Sequence, residues 1–301
     1  MTSSRGASLS ALLVVAGTAL FGTVGTARVL GPPIPSPSIA AGRLVASALL
    51  LVVLALVMRC GPAMWRAAWN QPWVYLAGAG QAGFQVCFLA AVEQIGVATG
   101  TLIAIGCTPI VAGLVTRQVT TVWLSATALS VVGLVLLVGG DAGGVDVLGL
   151  ASALGASVSY ATYIIATRHL VARGVSGLGV LAAIFAVSGL LLVPFLLFGD
   201  PGQMWTAPGL ATVAYLAVVP TVLAYSLFNA GLHGVTASTA ATLGLTEPVV
   251  AAALGVLVLD ERLGVVGTIG AAMVLLGLFV LVTWQRPMRR TEQGTEARTE
   301  Q

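Results

Sequence analysis

The chain has 301 residues, of which 58% are hydrophobic and 8% charged, against about 25% charged in an ordinary soluble domain. Thirteen arginines, no lysine and ten acidic residues cannot wet the outside of a folded sphere of this size, so a water-soluble body is excluded and the surrounding medium has to be lipid. The net charge of +3 sits in loop arginines and not in a basic stripe with interleaved aromatics, so nucleic acid is not an expected partner.

At roughly 20 apolar residues per crossing, the length accommodates ten helices with short connections and leaves no room for a soluble domain. The first apolar run, 8–27, has Arg5 ahead of it and resembles a secretory signal peptide. It extends to Ala27 and further apolar runs follow, so it is read as a retained span. The remaining predicted helices are 39–58, 72–92, 97–115, 121–138, 147–167, 178–198, 210–231, 237–259 and 265–284. GPPIPSPS, RCGPAMWRAAWNQP, GGDAGG, GDPGQ and DERLG mark breaks between them.

Trp65, Trp69, Trp73, Trp123, Trp205 and Trp284 fall at predicted span ends, where an amphipathic ring prefers the headgroup layer. With the N-terminus inside, ten arginines (5, 59, 66, 117, 168, 173, 286, 289, 290 and 298) face the cytoplasm and two, Arg28 and Arg262, face out. That bias predicts a multi-pass inner-membrane protein with both termini cytoplasmic and a disordered tail over 285–301. His169 and His233 are expected at the interface.

Residues 96–108, GVATGTLIAIGCT, align with 234–246, GVTASTAATLGLT, at five of thirteen positions, and VVGLVLLV around Gly133 parallels LLGLFVLV around Gly277. The expected domains are therefore two five-helix repeats, 8–140 and 145–284. Five is odd, so the second copy enters the membrane upside down. The predicted fold is all-α: ten transmembrane helices built as two inverted five-helix repeats, an arrangement that lets two halves exchange conformations around a central site. Duplication for stability alone is the plainer alternative.

Glu247 lies within the ninth span, where an ionised group costs on the order of 3 kcal/mol or more. Pro248 follows it and is expected to break the helix and free the Gly244 carbonyl for a protonated Glu247, a water or a substrate; Pro109 is expected to do the same to Ile105 in the fourth span. Arg43 sits inside the second span and either snorkels, pairs with Glu247 or Glu93, or captures an anionic group. Gln81 and Gln85 share one helical face, Tyr225 and Asn229 a second, and Tyr160, Tyr163 and Thr167 a third. These faces either line one common cavity or hydrogen-bond between helices. Glu247 is expected to couple transport to a gradient by exchanging a proton, or to bind substrate, or to serve a structural role beside the kink.

No span contains a histidine to act as a base, and no metal-ligand spacing, phosphate-binding glycine loop or disulfide framework occurs. No catalytic residue, metal or cofactor is expected. The segment LTEPVVAAALGVLVLDERLG, which carries Glu247 and Pro248, is followed by Gly270-Ala-Ala and Gly277. It resembles the proline helix, the Gly-Glu-Arg-like turn and the glycine-rich last helix of the EamA-type transporters of the drug/metabolite transporter superfamily. Arg43 matches an arginine often found in that family's second helix, whereas Thr116-Arg117-Gln118 departs from the turn pattern in the first copy. The resemblance covers about residues 11–284 and implies a ten-helix secondary carrier with a central cavity between its halves. The expected function is export of a small polar or amphipathic metabolite, an amino acid or drug-like compound, by alternating access. Proton coupling and a homodimer are compatible with it. The rival expectation is a non-transporting membrane protein, a lipid-modifying enzyme or a scaffold.

Overall fold

A computed structural model of the chain describes residues 2–58, 61–117, 119–138, 146–260 and 264–283, and every regular element among them is a helix. Trp284, the turn containing Glu261 and Arg262, the GGDAGG break and the tail from Gln285 lie outside the described residues. In hydrocarbon a backbone has to satisfy its own polar groups, and long apolar runs do so as helices. Among the described residues eight stretches are long and apolar enough to cross a bilayer, and two shorter apolar helices, Gly100–Thr116 and Thr121–Leu137, occupy the fourth and fifth predicted positions.

The first span is broken. Helix α1 (Thr2–Phe21) stops one residue short of α2 (Thr23–Leu30). At the junction, a Cβ on Gly22 would lie 2.7 Å from the Glu247 carbonyl oxygen, so only glycine permits this approach. Helix α3 (Ser36–Val57) follows, and then a two-turn helix, α4 (Pro62–Trp69), forms inside what the sequence presents as a loop. Helix α5 (Pro72–Gly106) keeps helical backbone bonding across the turn expected near residue 95. The chain nevertheless reverses there: a Cβ on Gly100 would lie 3.4 Å from the Val92 nitrogen, although eight residues of straight helix would separate the two by about 12 Å. Helix α6 (Thr108–Thr116) and α7 (Thr121–Val138) complete the first half.

In the second half come α8 (Val147–Ala172), α9 (Leu178–Phe198) and α10 (Ala207–Ala217), which passes through a π-helical segment, Val218–Leu223, into α11 (Ala224–Gly231). The ninth span is split into α12 (Ala237–Leu243) and α13 (Thr246–Val258), and α14 (Val265–Thr283) closes the chain. Packing joins α5 to α8, α1 to α11, α3 to α9, α7 to α14 and α6 to α12.

The two ends of the bundle are set by their connections. At one end Gly202 lies against Pro33 and Pro35, Ser38 donates to the Asp200 carbonyl, and Ile95 meets Gly149. At the other, Met64 of α4 meets Gly179, and His233 bonds Ser176 at 3.2 Å. Trp205 is exposed at the first end. Trp73 stacks on His169 with ring centroids 4.2 Å apart. Trp123, near the start of α7, is buried, with its ring against Gly113, where the missing side chain leaves room for the indole.

Candidate functional site

Two cavities lie toward opposite ends of the bundle. The first, of about 250 Å³, opens beside Arg28 and Ser36 and reaches down to Arg43, Gln85, Tyr160, Tyr225 and Glu247. The second, of about 270 Å³, lies beneath the 175–178 connection and is lined by Asn229, Ser226, Thr167 and His233 among apolar side chains. The polar faces expected to share one cavity are therefore divided. Gln85, Tyr160 and Tyr225 face the first cavity and Asn229 the second, while Gln81 and Tyr163 are fully buried and line neither. Helical periodicity identifies a polar face, but it does not show at what depth neighbouring helices close over it.

That closure is an aromatic layer. Tyr225 stands edge-on to Tyr163 at 5.4 Å, and Phe21 and Phe185 lie 4.6 and 4.9 Å from the same ring. Two polar pairs cross it: Gln81 Nε2 donates to the Tyr225 hydroxyl at 2.8 Å, and the Tyr163 hydroxyl donates to Asn229 Oδ1 at 3.2 Å. Each pair joins one helix of the first half or its neighbour α8 to α11. Buried hydroxyl and amide groups without such partners would cost about 1–3 kcal/mol each.

Arg43 and Glu247 face the same cavity, and among the described residues no ion pair joins them or joins Arg43 to Glu93. Arg43 Nε and Gln85 Nε2 are buried without a hydrogen-bond partner. Nearer the mouth, Arg28 Nη2 donates to Ser36 Oγ at 2.9 Å. The cavity thus holds separated opposite charges and an unused amide donor, over walls that include Phe84 and Phe88.

The helix breaks differ in detail from expectation. Gly244 and Leu245 form the break in the ninth span, so Pro248 sits in the first turn of α13, where no helical donor is required of it. The Gly244 carbonyl is not free: it accepts the Glu247 backbone N–H at 3.0 Å. The disruption lies ahead of the proline because Pro248 has no N–H for the carbonyl four residues back, at Gly244, and its ring would clash with that carbonyl in a continuous helix. The Leu243 carbonyl at the end of α12 accepts the Thr246 hydroxyl at 2.8 Å and faces the Thr18 hydroxyl at 3.4 Å. Pro109 likewise occupies the first turn of α6, behind a break at Cys107.

The eighth span also departs from a regular helix, which the sequence reading does not include. Pro220 cannot donate to the Leu216 carbonyl four residues back, the chain widens to a π-turn, and Thr221 Oγ1 donates to that carbonyl instead at 2.7 Å. Leu216 and Pro220 both line the first cavity. The signal was available in a proline at the centre of an apolar run. The approach of Gly22 to Glu247 carried no such mark.

The EamA-like transporter family matches residues 147–283. YwfM of Bacillus subtilis (strain 168), described as an uncharacterized transporter, is 34% identical over 292 residues, spanning 93% of this chain and 96% of its own. The chain belongs to the EamA-like transporter family. The threonine/homoserine exporter RhtA of Escherichia coli (strain K12) is similar at 28% identity over 84% of this chain and 83% of its own. A solved crystal structure superposes with a TM-score of 0.78 over 90% of this chain and 96% of its own; at 19% identity it shows the fold alone. The EamA-family protein is thus a multi-pass membrane transporter and not an enzyme. Among the described residues no group of His, Cys, Asp and Glu is placed to hold a metal ion.

Proposed function

We propose that this EamA-family transporter is a secondary carrier that exports a small polar or amphipathic metabolite across a bacterial inner membrane by alternating access. The observation that carries the reading is the pair of cavities at opposite ends, separated by a closed layer that includes Tyr163 and Tyr225. A carrier needs a barrier that can change sides, and a channel needs a continuous path. Residues 8–140 and 145–284 act as inverted halves. In support, the helix pairing is unchanged when each span is exchanged with the span five places on: α5 with α8 becomes α1 with α11, and the other three pairs map onto themselves.

Gln85, Tyr160 and Tyr225 hold cargo in one cavity and Asn229 in the other, while Gln81 and Tyr163 meet it as the layer opens. Arg43 and Glu247 supply the charges, and Glu247 couples the cycle by exchanging a proton. The arginine bias places both termini and the Asn229 cavity on the cytoplasmic side. Similarity to RhtA, a threonine/homoserine exporter, makes amino acids the first cargo class to test.

Purified protein in liposomes loaded with a metabolite panel provides the test. Substrate counterflow and pH-driven uphill flux are expected for at least one cargo. Continuous conductance in single-channel recordings, or the absence of any counterflow across the panel, contradicts the carrier.

A further inference from the structure

A third cavity, of about 180 Å³, lies between α3, α5 and α9 and shares Ala40, Gln85 and Leu89 with the central cavity that contains Glu247. Beyond these shared residues its walls are Pro37, Val86, Ala90, Leu192 and Phe195. Val86 and Phe195 are partly open to the bundle's lipid-facing surface, at 41% and 37% exposure. Exposed Glu93 stands at the far end, beside the turn between the third and fourth spans. The cavity is therefore a side slot of the central site, polar where it joins that site and apolar along its length.

Gln85 stands at the junction. It is 5% exposed and lines both cavities, and its Nε2 has no hydrogen-bond partner. An unused donor this deep is costly unless a ligand oxygen reaches it. A wholly polar metabolite would satisfy Gln85 but leave the slot beyond it empty. A wholly apolar one would fill the slot and leave Gln85, Arg43 and Glu247 without partners. A molecule with a polar head and an unbranched apolar tail satisfies both.

We propose that the slot between α3, α5 and α9 holds the alkyl tail of an amphipathic cargo whose polar head lies in the central cavity against Gln85. The inference rests on the central cavity being the cargo site, and it narrows the cargo class to amphiphiles. A bilayer lipid's acyl chain shares this tail chemistry, and the experiment separates the two sources.

Binding is measured calorimetrically on the full chain in nanodiscs, with protein-free nanodiscs correcting for partitioning. The probes are three matched straight-chain series from butyl to decyl: 2-amino acids, carboxylates and primary amines. Their heads address Arg43 and Glu247 together, Arg43 alone and Glu247 alone. In at least one series, affinity should rise by about fourfold per methylene and level off once the slot is full. Ala90→Phe, which fills the slot, should flatten that series. Phe195→Ala, which lengthens the slot, should move the levelling-off to a longer tail, so the result does not depend on one variant folding.

Three flat series in the wild-type protein overturn the proposal, as does a length dependence that neither variant changes. Native mass spectrometry identifies the rival occupant: a phospholipid retained by the wild type and lost from Ala90→Phe assigns the slot to the bilayer and also overturns it. Liposome flux alongside flat series would refute the tail slot while leaving the carrier reading intact.

Discussion

Glu247 is held in place mostly by its backbone. Its N–H is bonded to Gly244, its carbonyl lies against Gly22, and its carboxylate faces a cavity shared with Arg43 without an ion pair to it. A carboxylate not locked to a guanidinium is free to exchange its proton or to meet a cationic group on the cargo. Glu247→Gln keeps the shape and most of the hydrogen bonding but cannot cycle a proton. In liposomes the variant should lose pH-driven uphill flux while counterflow survives, and retained pH-driven flux would return Glu247 to a structural role. Gln85→Leu and Asn229→Leu each remove one polar group from one cavity wall, and each should raise the half-saturation concentration about tenfold, the effect of losing one hydrogen bond of roughly 1.4 kcal/mol. Unchanged transport in both would reduce those side chains to packing. The residue types at these positions were legible in the sequence because polar groups in apolar helices are costly. Their distribution over two cavities was not, since it depends on where Tyr225, Phe21 and Phe185 close the bundle.

Three of the interrupted spans around the first cavity use different local devices. The first breaks at Gly22, the eighth widens at Pro220, and the ninth is cut at Gly244–Leu245 ahead of Pro248. In each, carbonyls released from the helical ladder have to find donors inside the protein. Thr221 is the most specific of these donors, because its hydroxyl occupies the place of the hydrogen that Pro220 lacks. Thr221→Val keeps the volume and removes the donor. It should lower stability by about 1–3 kcal/mol and depress the thermal midpoint measured in detergent, whereas Thr268→Val at an exposed position of α14 should not. An unchanged midpoint for Thr221→Val would mean that the Leu216 carbonyl is satisfied in another way. Prolines announce two of these breaks in the sequence, although the disruption falls before Pro248 and not at it. The turn within α5 shows the reverse limit: residues 93–99 carry no proline and only Gly96 as a breaker, and the chain reverses there with its helical backbone bonding intact.

At the scale of the molecule, eight stretches of the described residues long and apolar enough to cross a bilayer, and two shorter apolar helices, follow the order of the apolar runs read from the sequence. Composition alone requires lipid, and run length sets the number of crossings. The pairing of α5 with α8 and α1 with α11 needed the structure, because a five-in-thirteen internal match says nothing about which helices touch. That pairing brings α1, α5, α8 and α11 together around the closed layer, and in the proposed cycle a small relative tilt of the halves opens one cavity as it shuts the other. The account therefore depends on reciprocity. The direct measurement is the rate at which a membrane-impermeant thiol reagent labels Phe88→Cys in the first cavity and Ala230→Cys in the second, with Cys60, Cys87 and Cys107 replaced. In proteoliposomes of known orientation, Phe88→Cys should react from the outer face and Ala230→Cys from the cytoplasmic face, and a pH step or transported cargo should speed one rate while slowing the other. Rates that rise and fall together, or that ignore both stimuli in a transport-competent protein, would contradict alternating access.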